Sequence, residues 1–104
     1  MKSENYNQLS AAEQERLAIL AEECAEVIQI VGKILRHGYE SCSPYDSTAT
    51  TNRQLLQKEL GDTEWICGEM MKHNDISRAA IATRSAQKAE KAKPFLHHQP
   101  DYGK

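Results

Sequence analysis

From Ser10 to His37 the chain repeats one pattern: Leu17, Leu20, Cys24, Val27, Val31 and Ile34 return at three- and four-residue intervals behind a Ser10-Ala11-Ala12-Glu13 start. That spacing lines apolar side chains along one side of an α-helix. Ser followed three residues later by Glu is a capping box, in which each residue satisfies a backbone N–H of the other. A long amphipathic helix over about Ala11 to His37 is therefore expected, with Gly38 taking the left-handed conformation that ends helices. Tyr39 to Thr50 holds Pro44, three Ser and two Thr without an apolar period, and reads as a loop. Thr51-Asn52-Arg53-Gln54 is a second capping box, and Leu56, Leu60, Thr63, Cys67 and Met70 continue it as a helix ending near His73. Asn74-Asp75 breaks that helix and can cap a third, starting near Ile76, rich in small residues (Ala79, Ala80, Ala82, Ala86, Ala89) and closed by Pro94. No strand run, internal repeat or Gly-rich phosphate loop is visible. The expected fold is all-α, with about three main helices per chain completed as a four-helix-type bundle by oligomerisation.

Two acidic clusters lie inside these helical segments: Glu22-Glu23-Cys24-Ala25-Glu26 in the first and Glu59-Leu60-Gly61-Asp62 in the second. Residues three and four apart share a helix face, so Glu22 stacks a turn from Glu26, Glu23 lies beside Glu26, and Glu59 pairs with Asp62. If the two helices pack antiparallel through their apolar stripes, both patches point into one cleft. Carboxylates gathered between packed helices repel strongly at low effective dielectric, and a divalent cation is the natural compensator. Hard oxygen donors suit Mg²⁺, with Mn²⁺ as a substitute. The competing reading is a solvated helix face. Against it, both clusters border apolar stripes, and like charges at Glu22 and Glu26 disfavour an ordinary helix. A di-iron centre is disfavoured because neither cluster is followed by a His three residues on.

Composition narrows the classes. At 104 residues this is one domain, 1–104, with 1–9 and 97–104 expected as tails that are flexible or touch a partner. With one Trp, one Phe and four Tyr, a monomer would bury little, so a homodimer or homotetramer is expected. A net charge of −2 with both signs interspersed excludes the Lys/Arg field needed for polymeric nucleic acid. There is no apolar run long enough for a membrane span, and Met1-Lys2-Ser3-Glu4-Asn5 lacks a signal-peptide core. Cys24, Cys42 and Cys67 are odd in number and lack zinc spacing, which fits a reducing, cytoplasmic setting with Cys24 and Cys67 as small core residues.

The ordered acidic motifs, EExxE at Glu22–Glu26 and ExxD at Glu59–Asp62, resemble those of the MazG-like family of all-α nucleoside triphosphate pyrophosphohydrolases. The likeness extends through Ala21 to Gln29, Lys33-Ile34-Leu35-Arg36-His37-Gly38, Thr51-Asn52-Arg53 and the Lys-rich segment from Lys88 to His98, and so spans about Leu17 to His98. It implies Mg²⁺-dependent cleavage between the α and β phosphates of a (deoxy)nucleoside triphosphate, giving a monophosphate and pyrophosphate. By motif position it implies Glu23, Glu26, Glu59 and Asp62 as metal ligands, with Glu22 or Glu23 orienting or activating water. Lys88 falls where the family places a phosphate-binding Lys, with Lys91 or Lys93 assisting. Lys33 is a further candidate for phosphate charge, although a Lys near a helix C-terminus is also favoured by the helix dipole. Two departures stand out: the interval between the acidic motifs is lengthened by the Tyr39–Thr50 loop, and Ala92 occupies a position that is basic in some relatives. A non-catalytic helical module that binds nucleotide or protein is the alternative; such a relative would ordinarily lack one of the acids, and here all are present. Trp65, three residues past Asp62, is expected in core or interface and less as a base-stacking surface. Capping accounts for Asn52 and solvent exposure for Arg53.

Overall fold

The computed structural model describes residues 6–99. They form three α-helices, α1 (Ala11–His37), α2 (Asn52–Lys72) and α3 (Arg78–Ala92), followed by a single 3-10 turn at Lys93–Phe95. Among the described residues there is no strand, only one antiparallel bridge between Cys42 and Thr51. None of these helices is long and apolar enough to cross a membrane.

Both capping boxes form. Ser10 Oγ accepts the Glu13 N–H at 3.0 Å while Glu13 Oε1 accepts that of Ser10 at 2.8 Å. Thr51 Oγ1 and Gln54 repeat the exchange at 3.1 and 2.8 Å. At the other end of α1, Gly38 takes φ +90° and donates its N–H to Ile34 O at 2.7 Å. A Cβ would be strained in that conformation, which is why the helix stops on glycine.

Two distant ties fix α1 and α2 as an antiparallel hairpin. At the loop end, Asn52 Nδ2 donates to Gly38 O at 3.1 Å and its backbone N–H to Ser41 O at 2.8 Å. At the open end, Arg16 grips Asp75 through Nε at 2.6 Å and Nη2 at 3.0 Å. The loop between the helices has its own clasp. Asp46 accepts from the Thr48 N–H, the Thr48 hydroxyl and the Thr50 N–H, and these bonds hold its carboxyl down to about 2.

The structure corrects two readings made from spacing. Asp75 is not a helix cap: Arg16 occupies it, Ser77 Oγ caps α3 instead, and the helix begins at Arg78. The apolar stripe of α1 is also two stripes. Leu20, Val27 and Ile34 turn toward α2 beside buried Ile30, Ile66 and Met70. Leu17, Ala21, Cys24, Ile28, Val31 and Leu35 lie on an exposed face, with Ile28 at 73% and Leu35 at 83%. Cys24 is therefore not a core residue within one chain, whereas Cys67 is half-buried.

α3 packs on neither hairpin helix beyond the turn that joins it to α2, and every residue from Ser77 to Lys91 is exposed. The radius of gyration is 17.9 Å, against about 13 Å for a compact domain of this length. The surface is 8476 Å², where a compact monomer of 11.7 kDa would expose about 5,900 Å².

Candidate metal centre

Glu23 and Glu26 sit one turn apart on the side of α1 that faces α2, and Glu59 and Asp62 sit likewise on α2. Because the helices run antiparallel, the two pairs meet at mid-hairpin. One carboxylate oxygen from each of the four lies within 4.8 Å of all the others. All four residues are half-buried, and the Glu59 side chain is only 14% exposed.

Acidic groups often cluster on helix surfaces without any ion, so the environment of these four decides what they are. Glu23 Oε2 and Glu59 Oε2 are buried and have no hydrogen-bond partner. A buried, unpartnered carboxylate oxygen is costly unless something cationic reaches it. The only nearby cation among the described residues is Lys58, whose ammonium stands 3.4 Å from Glu59 Oε1 and 3.5 Å from Asp62 Oδ2, on the exposed side. It leaves the two buried oxygens without a partner, and one positive charge does not balance four negative ones.

Protonation shows the same stress. A hydrogen bond with Glu59, then the Glu59 charge, burial, and the charges of Glu23 and Glu22 push the Glu26 carboxyl up to about 7. Burial raises Glu23, with Asp62, Glu59 and Glu22 adding to it. The Lys58 ammonium is raised in turn by the charges of Glu59 and Asp62. Without a cation, these carboxyls relieve repulsion by holding protons. Four hard oxygen donors from two rigid helices, two of them orphaned, fit a small divalent ion of the Mg²⁺ or Mn²⁺ kind.

The other residues singled out by sequence fall in three places. Glu22 is exposed and outside the four, acting on them only through its charge. Lys33 is exposed on α1, two turns past Glu26, and lines a pocket at the loop end of the hairpin. Lys88 and Lys91 are exposed on α3, so one chain does not bring them against the acids, and Lys93 is bonded to Glu90 at 3.0 Å. Trp65 is 57% exposed on α2 and belongs to no core within the chain. Arg53 is exposed yet held, with its guanidinium 4.3 Å over the Tyr39 ring and Nε 2.6 Å from Glu40.

Lys58 has no role in the sequence reading, and Asn52, read there as a capping residue, is not the cap. Lys58 precedes Glu59 and lies four residues before Asp62, a spacing that marks it as the built-in counter-charge. Asn52 is the one buried polar residue among those described, and it ties the loop while Thr51 does the capping. No protein-family model, curated protein or solved structure matches the chain.

Proposed function

We propose that the chain is a Mg²⁺-dependent nucleoside triphosphate pyrophosphohydrolase of the MazG-like kind, converting a (deoxy)nucleoside triphosphate to the monophosphate and pyrophosphate. One observation carries the reading: four carboxylates from two helices converge within 4.8 Å, and two of their oxygens are buried without a partner. The ordered EExxE and ExxD motifs that supply these residues add to it.

Glu23, Glu26, Glu59 and Asp62 would hold the metal. When bound, it supplies neutralisation of phosphate oxygens and lowers the cost of forming hydroxide from water. The protein's own share is positioning, because phosphoanhydride hydrolysis asks for little covalent work. Water adds to the α phosphorus, the bond to the bridging oxygen breaks, and pyrophosphate leaves with that oxygen. Glu22 or Glu23 takes the proton that the water gives up. Glu22 stands exposed at the rim, free of the four-carboxylate group, and Glu23 lies within it. Lys33 meets phosphate charge from the same helix.

A second copy of the chain completes the fold. The exposed seam Leu17, Ala21, Cys24, Ile28, Val31, Leu35 steps by four and three residues in alternation, which is the repeat of a helix packed on a helix. Lys88 and Lys91 meet phosphate in that assembly, where α3 gains a neighbour. A cytoplasmic setting agrees with three free cysteines.

The test is direct. The chain is incubated with a panel of nucleoside triphosphates, with Mg²⁺ or with chelator, and pyrophosphate and monophosphate are measured. Mg²⁺-dependent release of both is expected. Release of orthophosphate with a diphosphate, or turnover undiminished by chelator, refutes the assignment. Nucleotide binding without turnover would leave the non-catalytic module.

A further inference from the structure

At the loop end of the hairpin lies a pocket of about 350 Å³ between the last turns of α1 and the Tyr39–Thr50 loop. Its wall carries Lys33, Arg36 and His37 from α1, Ser41 and Ser43 from the loop, and a single acid, Asp46. None of the three basic residues has a carboxylate partner among the described residues, although most other cations of the hairpin and loop do: Arg16 has Asp75, Arg53 has Glu40, and Lys58 has Glu59 and Asp62. Both oxygens of Asp46 are committed to Thr48 and Thr50.

Cations near a helix C-terminus have an ordinary explanation, since they offset the dipole and bond the last carbonyls. Here two of the carbonyls at this end are met by other groups. Ile34 O accepts the Gly38 N–H, and Gly38 O accepts Asn52 Nδ2. The loop wall is also built in advance: the Asp46 clasp, the Cys42–Thr51 bridge and the Asn52 tie each fix part of it. Ser43 Oγ accepts the Tyr45 N–H at 3.2 Å, which leaves its own proton free to donate. A preformed concavity with unpaired cations and a hydroxyl donor is a receptor for an oxyanion.

Placement joins it to the acids. Lys33 is seven residues beyond Glu26, on the same face and about 10 Å along the axis. Helical side chains lean toward the N-terminus, so its stem reaches back toward the carboxylates. On the facing helix, Leu55 in the pocket wall is one turn before Glu59. The pocket therefore lies one to two helical turns from the four-carboxylate group along the same hairpin, basic at the loop end and acidic at mid-hairpin.

We infer that the Lys33–Arg36–His37 pocket binds phosphoryl oxyanions, and that in the reaction proposed above it receives the pyrophosphate end of the triphosphate. The second half rests on the hydrolase reading; the first half stands without it. The nucleoside then lies away from the loop end, and departure of pyrophosphate is through the basic mouth.

Inorganic pyrophosphate titrated into the full chain in the presence of chelator, followed by calorimetry and by amide NMR, tests the first half. One saturable site is expected, weakening with added salt, with shifts concentrated at Lys33 to His37 and Ser41 to Ser43. Lys33→Gln and Arg36→Gln should each weaken it about tenfold or more, the loss of one charge-assisted contact. Lys72→Gln, which removes an equal charge elsewhere on α2, should not. Circular dichroism checks that each variant keeps its helices. Absence of saturable binding, or equal affinity in the Lys33→Gln/Arg36→Gln double variant, overturns the pocket.

The source of the phosphoryl group is read separately. If it is the leaving end of substrate, Arg36→Gln raises KM for triphosphate by a similar factor. An unchanged KM with weakened pyrophosphate binding means a free-anion site and overturns the substrate assignment. Wild-type chain that binds pyrophosphate at this pocket but turns over no triphosphate refutes the hydrolase reading and leaves the pocket intact.

Discussion

Glu26 carries the clearest residue-level consequence. Its carboxyl is pushed from an ordinary 4.5 to about 7, chiefly by a hydrogen bond with Glu59. Between those values the folded chain holds a proton that the unfolded chain has released, so the stabilisation present at low pH is lost as pH climbs through about 7. Glu23 is shifted the same way and adds to the trend. In chelator, the melting temperature should therefore fall between pH 5.5 and pH 8. Saturating Mg²⁺ should reverse that slope, because the ion and the proton compete for the same oxygens. A melting temperature in chelator that stays level or rises across this range contradicts the mutual repulsion on which the site depends. Glu59→Gln separates the two roles of one carboxylate. Without metal it should melt on the order of a few degrees higher, since one buried charge is gone. With Mg²⁺ its turnover should drop about 100-fold or more, since even groups that merely hold a ligand in place cost about 10–100-fold. Full activity in this variant would remove Glu59 from the ligand set.

At the scale of elements, the helix starts were legible because capping is local. Ser10 with Glu13 and Thr51 with Gln54 both formed the boxes that their spacing announces. The start of α3 was not, because Asp75 has a partner 59 residues away in Arg16, and no local pattern reveals a competitor at that range. The same limit applies to Asn52. Next to a capping threonine it reads as part of the cap, yet its amide spans the loop to Gly38. Asn52→Ala leaves the Gly38 carbonyl without its donor and should cost about 1–2 kcal/mol, seen as a lower urea midpoint with an unchanged slope. If the pocket wall depends on this tie, the same variant also weakens pyrophosphate binding. A midpoint equal to wild type would show that the loop is held by Asp46 and the Cys42–Thr51 bridge alone.

For the whole molecule, the decisive fact is how little one chain buries. Among the described residues the buried apolar ones are Ile30, Ile66 and Met70, while Ile28, Leu35 and Trp65 face outward. Sedimentation equilibrium should give at least twice 11.7 kDa. Ile28→Glu, placed in the middle of the exposed seam, should shift the chain toward monomer and lower its melting temperature. A monomeric wild-type chain with full helical content would refute the seam as an interface. A surface seam of this length is otherwise a liability, since exposed apolar patches on monomers are seldom so extended.

The sequence by itself determined the all-α class, the ends of α1 and α2, and the acids that can share a face, because capping and the 3.6-residue period act over a few neighbouring residues. The motifs name Glu23, Glu26, Glu59 and Asp62, but only the tertiary structure brings an oxygen of each within reach of the others and leaves Glu22 exposed outside them. It also decided that only one of two adjoining apolar faces on α1 meets α2, and that Lys33, Arg36 and His37 at the loop end have no carboxylate partner among the described residues. Periodicity gives the direction in which a side chain points along its own helix. What it meets there depends on how helices pack, and that is set by contacts between residues far apart in the chain.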